Sequence, residues 1–399
     1  MKLDALKHPD LMQLRNEGYD LQIVGTHLLV KSVPYVTSSQ EVKYDGIWVT
    51  PLHLGQGDRT EPPTDHTAYF AGERPCTAEG APLNEFIIEE PNRELAQGLK
   101  VNFKFSFKFT DGKGGWRAYK DHHEKMLNYV RLLLHEAKII NPAARADLFP
   151  VILPDDDDSP FEYEDTSSSR AGIEALAPKL ALDNIAIVGL GGTGSFVLDL
   201  IAKTHVKKIH LFDDDDFHQH TAFRSPGAVA KEDLKRDINK VGHYANVYAR
   251  LRKGIVPHPY RINAENLDEL DEMQFVFLCL DSGELKEPIM RKLEEKKIPF
   301  IDVGMGVLLK GDALQAILRV TTSAEGHRNH LRDNDRVSFA AADGDNIYRR
   351  NIQVADLNAL NAALAVMKWK KLCGYYVDIE NEYHSVYVSS VNTLSNEDN

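Results

Sequence analysis

Up to residue 150, apolar and polar residues alternate in short runs that are separated by turn residues. Runs such as LQIVGTHLLVKSVPYV and VNFKFSFKFT have the two-residue period that is typical of β-strands with one buried face. The period changes between Met126 and Leu134, where apolar residues recur near helical spacing, and Pro142 then ends the segment. The pattern predicts a mainly β N-terminal module that is closed by one amphipathic helix.

After residue 169, apolar strand-like runs alternate with helix-like runs. Strand-like runs such as NIAIVGL and FVFLCLD are apolar at most positions, as expected for strands that are buried on both faces, and KKIHLFD has an apolar centre of the same kind. This alternation predicts an α/β domain with a doubly wound, Rossmann-like parallel sheet. The last helical run, LNALNAALAVMKWKKL, is apolar on more than one stripe, so we expect it to be buried and to form a homodimer interface.

An acidic segment separates the two patterns. In LPDDDDSPFEYEDTSSSR, residues 153–170, acids, serines and prolines interrupt the apolar periodicity. We therefore predict an N-terminal domain over residues 1–150, a linker over residues 151–168 and a second domain over residues 169–399. The four aspartates at positions 155–158 are interpreted as a solvated charge run without a site role, because like charges repel one another.

Composition narrows the classes of function. The formal net charge of −13 argues against a large phosphate-binding surface, so nucleic acid is not an expected partner. The sequence contains neither a signal-peptide pattern nor an apolar run long enough to span a membrane, so we expect a cytoplasmic protein without a membrane partner. Three cysteines without C-x-x-C spacing exclude a disulfide framework and a four-thiolate zinc site.

The stretch IAIVGLGGTGSF joins a predicted strand to a predicted helix through a glycine-rich turn. Its glycines are Gly189, Gly191, Gly192 and Gly194. They fit both G-x-G-x-x-G, the fingerprint of dinucleotide-binding enzymes, and G-x-G-G-x-G, which points to an ATP-using adenylyltransferase. In either case the turn brings the backbone close to a phosphate at the positive end of a helix dipole. The turn alone does not decide between hydride transfer and adenylation.

The residues after the second strand of this domain distinguish the two possibilities. The chain continues as DDDDFHQHTAFRSPG, which places Arg224 eleven residues beyond Asp213 in a loop. With this combination, residues 169–380 resemble the ThiF/MoeB-type family, which includes ubiquitin-activating enzymes and the adenylyltransferases of thiamine and molybdopterin synthesis. Members of that family carry G-x-G-G-x-G, then D-x-D, then N-L-x-R-Q.

The resemblance implies a site for ATP and Mg²⁺ that includes the glycine turn. It assigns Asp213 and Asp215 to the D-x-D that holds the ribose, Arg224 to the ATP phosphates and Asp281 to magnesium. Thr221 stands where the family has asparagine and still offers a hydrogen bond. These residue types suit the chemistry because phosphates require cations, and because carboxylates at the ends of parallel strands are hard oxygen ligands for magnesium.

Two further cations follow from the resemblance. The family lysine normally lies in a G-x-x-K pattern, which this chain lacks, and Lys240 lies about one helical turn earlier. Lys240 is therefore the nearest residue to stabilise charge on the α-phosphate. Arg170 lies in SSSRAGIEAL, a segment similar to the family's entry segment, and is a predicted arginine finger. The alternative for Arg170 is a linker arginine that caps the acidic run.

Ubiquitin-activating enzymes pass the activated acyl group to a cysteine after the sheet, but residues 321–351 of this chain contain none. Cys279 and Cys373 lie in predicted core elements and are expected to be inert, buried thiols. Cys76 lies in the turn-rich AGERPCTAEGAPL close to Arg74. It is either a structural cysteine or an exposed thiolate that accepts the acyl group.

Three functions remain open at this point. The first is ATP-dependent adenylation of the C-terminal glycine of a ubiquitin-like protein in a bacterial conjugation pathway, of the kind associated with phage defence, with a conjugating enzyme as a further partner. The second is a catalytically silent scaffold with the same fold, which Thr221 and the displaced lysine favour. The third is an NAD-dependent oxidoreductase, for which His218, His220 or His327 would supply the acid or base.

Overall fold

The structure, a computed structural model, describes residues 8–55, 60–96, 98–110, 115–154, 158–235, 237–280, 283–334, 336–337 and 352–397. The chain divides into two compact units. The first contains the residues up to 155 together with 165–172, and the second contains residues 156–164 and those from 173 onward. None of the helices in the described ranges is long and apolar enough to cross a membrane.

The first unit is mainly β, as the alternating pattern predicts. Its elements are α1 (Pro9–Asn16), β1 (Asp20–Val24), β2 (His27–Val36), β3 (Val42–Pro51), β4 (Thr67–Ala71), β5 (Ile87–Glu89), β6 (Arg93–Ala96), β7 (Leu99–Val101), β8 (Phe103–Ser106), β9 (Phe109–Thr110), β10 (Trp116–Arg117), α2 (His122–Ile140) and α3 (Thr166–Ala171). Six of these strands form one antiparallel sheet in the order β1-β2-β3-β4-β8-β5. Strands β6 and β7 pair with each other, as do β9 and β10.

Helix α2 packs against β2 and β3 of this sheet. It begins because the side chain of Asp121 accepts a hydrogen bond from the backbone N–H of Glu124, at 2.8 Å, which caps the first turn. Its apolar residues recur at helical spacing and are buried, and the ring of Tyr129 lies 4.8 Å from the ring of Trp48. The predicted closing helix is confirmed, and it ends at Ile140, just before Pro142.

The second unit is an α/β fold around one large sheet. Its helices and strands are β11 (Asn184–Val188), α4 (Gly192–Ile201), β12 (Lys208–Phe212), α5 (Gln219–Ala222), α6 (Lys240–Tyr248), β13 (Ile255–His258), β14 (Phe275–Leu278), α7 (Gly283–Glu295), β15 (Phe300–Lys310), β16 (Ala313–Ser323), α8 (His330–Asp333), α9 (Ala355–Leu372), β17 (His384–Val388) and β18 (Thr393–Asn396), with short 3₁₀ helices at Glu174–Leu180, Asp233–Lys235 and Leu267–Leu270. Eight strands of the described residues form the sheet, in the order β13-β12-β11-β14-β15-β16-β17-β18.

The sheet is mixed, which refines the prediction of a parallel sheet. Strands β13, β12, β11, β14 and β15 are parallel, as in a Rossmann-like fold, whereas β16, β17 and β18 continue the sheet in antiparallel pairs. The change of direction has a local cause. Strand β15 returns as β16 through only Gly311, at φ 67°, and Asp312. A two-residue turn permits only an antiparallel partner.

Helix α9 is the long apolar helix that the sequence predicts. It packs against α4, β15 and β16 of the same chain, and Ala362, Ala365 and Trp369 are buried in the core between them. Met367 remains about half exposed on the outer side. The apolar stripes of α9 therefore have partners within one chain, and the homodimer stays a prediction.

Candidate functional site

The order of the parallel strands creates a crevice in the second unit. Strand β11 lies between β12 and β14 and is parallel to both. The strands that follow β11 first add on one side of it, as β12 and β13, and then on its other side, as β14 and β15. The carboxyl end of β11 is therefore the point at which the strand order reverses. Ligands of open α/β sheets bind at such a point, outside the carboxyl ends of the strands. The glycine-rich turn follows β11 at this edge and leads into α4.

Three glycines of the turn have different surroundings, which explain why a side chain is excluded at two of them and not at the third. Gly189 has φ 92°, and a Cβ there would lie 2.6 Å from the carbonyl oxygen of Cys279. A Cβ on Gly194 would lie 1.9 Å from the oxygen of Gly189, so both residues are required by the tight turn itself. Around Gly191, the N-cap of α4, no atom lies within 4 Å of the Cβ position among the described residues. Gly191 is the glycine that leaves its backbone open to a ligand.

A pocket of about 240 Å³ lies beside the turn. Its described wall consists of Val188, Gly189, Gly191, Phe212, Asp213, Asp214, Asp215, Arg224, Lys240, Arg261, Ile262, Cys279, Leu280, Leu285 and Gln353. The pocket therefore brings together most of the predicted nucleotide site, which the chain supplies from residues far apart in sequence. Its volume lies just below the roughly 300 Å³ at which typical ligand pockets begin, so it can enclose part of a nucleotide.

Asp213 connects the glycine turn to the next loop. One carboxylate oxygen accepts a hydrogen bond from the backbone N–H of Leu190 at 2.6 Å, and the other accepts from the N–H of Asp215 at 2.9 Å. The residue is buried, and the ammonium group of Lys240 lies 3.2 Å from its carboxylate. Asp213 therefore fixes the shape of the turn in this structure.

Lys240 is the buried cation of the pocket. It is the first residue of α6, after Asn239, whose side chain caps the helix by accepting from the N–H of Gly242 at 2.8 Å. Its Nζ donates to Asp215 Oδ2 at 2.5 Å and also faces Asp213. The hydrogen bond from Lys240 is the main reason why the pKa of Asp215 is lowered.

Thr221 lies in α5 and Arg224 lies in the loop that follows, and the structure places them differently. Arg224 lines the pocket, and its Nε is buried without a hydrogen-bond partner among the described residues. Thr221 is fully buried and does not belong to the described pocket wall. Ser225 fixes the loop that carries Arg224, because its hydroxyl donates to the Thr221 carbonyl and accepts from the hydroxyl of Tyr244 at 3.0 Å.

Arg261 is a pocket residue that the sequence analysis does not identify. It follows β13, and its guanidinium forms two contacts with the carboxylate of Asp214, at 3.1 and 3.2 Å. The two half-exposed side chains thus join the loops after β12 and β13 at the rim. The sequence does contain a signal that could identify Arg261 as a pocket residue, because it lies three residues beyond the carboxyl end of a parallel strand. That strand, with Pro257 in it, has no strong apolar pattern.

Carboxylates in the pocket offer a partial fit to a magnesium ion. Oxygen atoms of Asp213, Asp214 and Asp215 lie within 4.8 Å of one another, and hard oxygen donors are what Mg²⁺ prefers. Two of the three carboxylates already face Lys240, so the described residues alone do not form a free cation site. Asp281, the predicted magnesium residue, lies outside the described residues.

Arg170 and Cys76 belong to the first unit. The guanidinium of Arg170 donates to the carbonyl oxygen of Asn16 at 2.6 Å and lies over the ring of Phe149 at 5.6 Å. Its role as an arginine finger stays a prediction. Cys76 is only 1% exposed, because its backbone N–H pairs with Val36 at the end of β2, at 2.8 Å. Burial raises the pKa of the Cys76 thiol, although Arg74 opposes this. Both facts argue against an exposed thiolate.

The other two cysteines are less buried than the sequence predicts. Cys279 and Cys373 are both of intermediate exposure, since each lies at the end of its element, where the core gives way to a cavity. Cys279 lies on the wall of the pocket beside the glycine turn. Burial still raises the pKa of Cys373 to about 11, which keeps that thiol protonated near neutral pH.

The chain is similar to known protein families and to several solved structures. Residues 9–166 match a domain of unknown function, DUF6791. No curated protein matches the chain. Similar solved structures include PaaA, with 19% identity, a TM-score of 0.43 and coverage of 58% of this chain and 70% of that one. They also include MccB of E. coli, with 16% identity, a TM-score of 0.44 and coverage of 58% and 67%. The ThiF family model matches residues 170–377, more than half of the 399 residues, and the chain therefore belongs to the ThiF family.

Proposed function

We propose that the protein activates the C-terminal glycine of a ubiquitin-like protein by ATP-dependent adenylation. A carboxylate oxygen of the glycine attacks the α-phosphorus of ATP and forms a new P–O bond. The bond between the α-phosphorus and the bridging oxygen to the β-phosphate breaks, and pyrophosphate leaves. The products are an acyl-adenylate and pyrophosphate. Because a carboxylate is already ionised at neutral pH, the reaction requires no general base, only positioning and neutralisation of charge.

The observation that carries the proposal is the pocket at the switch point of a ThiF-family sheet. It combines a glycine turn with an open backbone at Gly191 and two cations, Arg224 and Lys240, that converge on the same volume. Free N–H groups at the start of α4 and positive side chains are the groups that bind phosphates. We assign Arg224 to the leaving phosphates and Lys240 to the α-phosphate. When bound, magnesium would neutralise phosphate charge, and we assign Asp281 to hold it.

Arg261 extends this assignment to the other end of the nucleotide. Its planar guanidinium pairs with Asp214, and the wall of the same pocket contains the apolar residues Ile262 and Leu280. Guanidinium groups stack on aromatic rings, and apolar walls suit a base better than a phosphate. We therefore assign this end of the pocket to adenine and ribose.

One observation supports the silent scaffold as a second candidate. Lys240 is buried and held by two aspartates, Asp213 and Asp215, so an incoming phosphate must draw it away from at least one of them. A protein in which this pair never opens would bind nucleotide without adenylating anything. The two candidates predict the same ligand and differ in turnover.

Nucleotide binding is the first test. ATP with Mg²⁺ should raise the melting temperature and NAD⁺ should not, because a ligand stabilises the folded state that binds it. Arg224→Ala should weaken ATP binding at least about tenfold, which is the effect of losing one charged hydrogen bond to phosphate. Arg291→Ala is the matched control, since Arg291 is an exposed arginine paired with Glu287 within α7. Stabilisation by NAD⁺ instead of ATP would contradict the proposal.

Turnover is the second test. Exchange of labelled pyrophosphate into ATP should depend on a small protein that ends in glycine, and a product of a neighbouring gene is the protein to use. Wild type should catalyse this exchange, whereas the rate of Arg224→Ala should be at least about tenfold lower. ATP binding without any exchange would establish the silent scaffold and overturn the enzymatic proposal.

A further inference from the structure

Asn358 in the first turn of α9 connects two parts of the pocket wall that are distant in sequence. Its side chain is fully buried. The amide oxygen accepts a hydrogen bond from the hydroxyl of Thr193 in the glycine turn at 3.1 Å. The amide nitrogen donates to the carbonyl oxygen of Arg224 at 3.4 Å. One side chain on α9 thus contacts both the phosphate-facing turn and the loop that carries the phosphate-binding arginine.

The same amide explains Gly192. A Cβ built on Gly192 would lie 2.0 Å from Nδ2 of Asn358 and 2.4 Å from its Cγ, which no pair of heavy atoms tolerates without a shift. Gly192 is buried under this amide, whereas Gly191 is the neighbour whose Cβ position is open. Asn358 has no room to retreat, since both ends of its amide are hydrogen-bonded in a close-packed interior.

The loop that carries Arg224 is held at a second point in the described part of the chain. Its second anchor is the hydroxyl of Ser225, which accepts from Tyr244 of α6 at 3.0 Å. Arg224 itself projects into the pocket with Nε unpaired among the described residues, so its position depends on the backbone that carries it. A shift of about 1 Å in such a group can reduce catalysis about a hundredfold.

We propose that Asn358 is a positioning residue that holds the Arg224 loop against the glycine turn, and that position 192 is glycine because the Asn358 amide fills the space of a side chain. The lack of a side chain at position 192 then reports the docking of α9, and the backbone N–H of Gly192 remains one of those at the start of α4. The positioning role rests on the proposed function, because it acts through an arginine assigned to ATP phosphates. The packing between Gly192 and Asn358 does not depend on it.

The packing is tested by thermal unfolding of four proteins without ligand: wild type, Gly192→Ala, Asn358→Ala and the double variant. Gly192→Ala should lower the melting temperature because the new methyl group meets the amide. Asn358→Ala creates the missing space, so the double variant should melt higher than Gly192→Ala alone. If the decreases in melting temperature of the two single variants simply add in the double variant, Gly192 serves another purpose, and this half of the proposal is overturned.

The positioning role is tested by the affinities for ATP and adenosine. Asn358→Ala should weaken ATP binding about tenfold and adenosine binding less than about twofold, because Arg224 acts on phosphates. In the Arg224→Ala background, Asn358→Ala should have almost no further effect on ATP. Asn361→Ala is the matched control, since Asn361 is another fully buried asparagine of α9, and its amide donates instead to Gly304 at 3.1 Å. It should weaken both ligands equally or not at all.

The outcomes separate the two proposals. Equal losses for ATP and adenosine, or additive losses with Arg224→Ala, would show that Asn358 has only a structural role. Failure of wild type to bind ATP would overturn the proposed function and the positioning role together. In that case the unfolding experiment still decides whether Asn358 is the reason for glycine at position 192.

Discussion

Replacing Lys240 by methionine tests the electrostatics of the pocket directly. Methionine keeps most of the length and apolar volume of the side chain but removes the ammonium group. In wild type that group lies 3.2 Å from the Asp213 carboxylate and 2.5 Å from that of Asp215. Lys240→Met therefore leaves two neighbouring carboxylates without their shared cation, one of them buried.

The size of the loss follows from the burial of each partner. Lys240 and Asp213 are both more than nine-tenths buried, and removing one partner of a buried pair costs about 3–5 kcal/mol. Asp213 keeps two backbone donors, which places the cost at the lower end of that range. The side chain of Asp215 is 63% exposed, so its pair with Lys240 adds at most about 1 kcal/mol. We expect Lys240→Met to lower the free energy of unfolding by about 3 kcal/mol at pH 7.

The loss should depend on pH in a defined direction. The hydrogen bond from Lys240 is the largest cause of the lowered pKa of Asp215, whose unperturbed value is 3.8. A carboxylate with a lowered pKa in the folded state contributes stability above its unfolded pKa and loses it as pH falls through the folded value. The part of the difference that comes from Asp215, at most about 1 kcal/mol, should therefore be fully present well above pH 3.8 and shrink as pH falls below it.

Urea unfolding at pH 7 and pH 3 measures both effects, with Lys203→Met as the control. Lys203 lies just beyond the end of α4, pairs with Asp199 four residues earlier and is more than half exposed, so its loss should cost no more than about 0.5 kcal/mol. A variant at Lys240 that is as stable as the control at pH 7 would refute the view that this lysine holds the aspartates together. A difference that does not fall at all between pH 7 and pH 3 would refute the assignment of its smaller part to the charge of Asp215.

Three other predictions are open to direct measurement. Asp281→Ala should abolish pyrophosphate exchange while leaving the melting temperature within error, since we assign Asp281 to magnesium; normal exchange would remove it from the site. Incubation with modifier, ATP and magnesium should give no adduct on Cys76, because that thiol is buried and its pKa is raised; a reductant-sensitive adduct on a non-reducing gel that disappears in Cys76→Ala would show the contrary. Sedimentation at micromolar concentration should give a dimer, and a stable monomer would contradict the homodimer.

The central strands were predictable because their sequences are apolar at most positions. Strands β11 and β14 are buried on both faces along nearly their whole length, whereas the same pattern in β12 is interrupted by the exposed Lys208 and the half-buried His210. Strand β13 is different, since it lies at the edge of the sheet, spans only four residues and contains Pro257. Missing this strand meant missing Arg261, because the position of a pocket residue is inferred from the end of its strand.

Spacing alone does not reveal what a glycine or a cysteine faces. The four glycines of the turn look equivalent in the sequence, yet the neighbour that occupies the space at Gly192 comes from α9, more than 150 residues later. Cys76 lies among turn residues, which predicts exposure, but pairing with Val36 at the end of β2 buries it. Both surroundings are set by tertiary contacts, which local sequence does not encode.

The contact between Gly192 and Asn358 also constrains how related sequences can diverge. A substitution at either position alone leaves a clash or a hole, and both are selected against when stability is marginal. Relatives that carry a larger residue at the position of Gly192 should therefore carry a smaller one at the position of Asn358. Within this branch of the family, the residue at the second glycine of the doublet would then vary together with a residue of α9, a helix far along the chain.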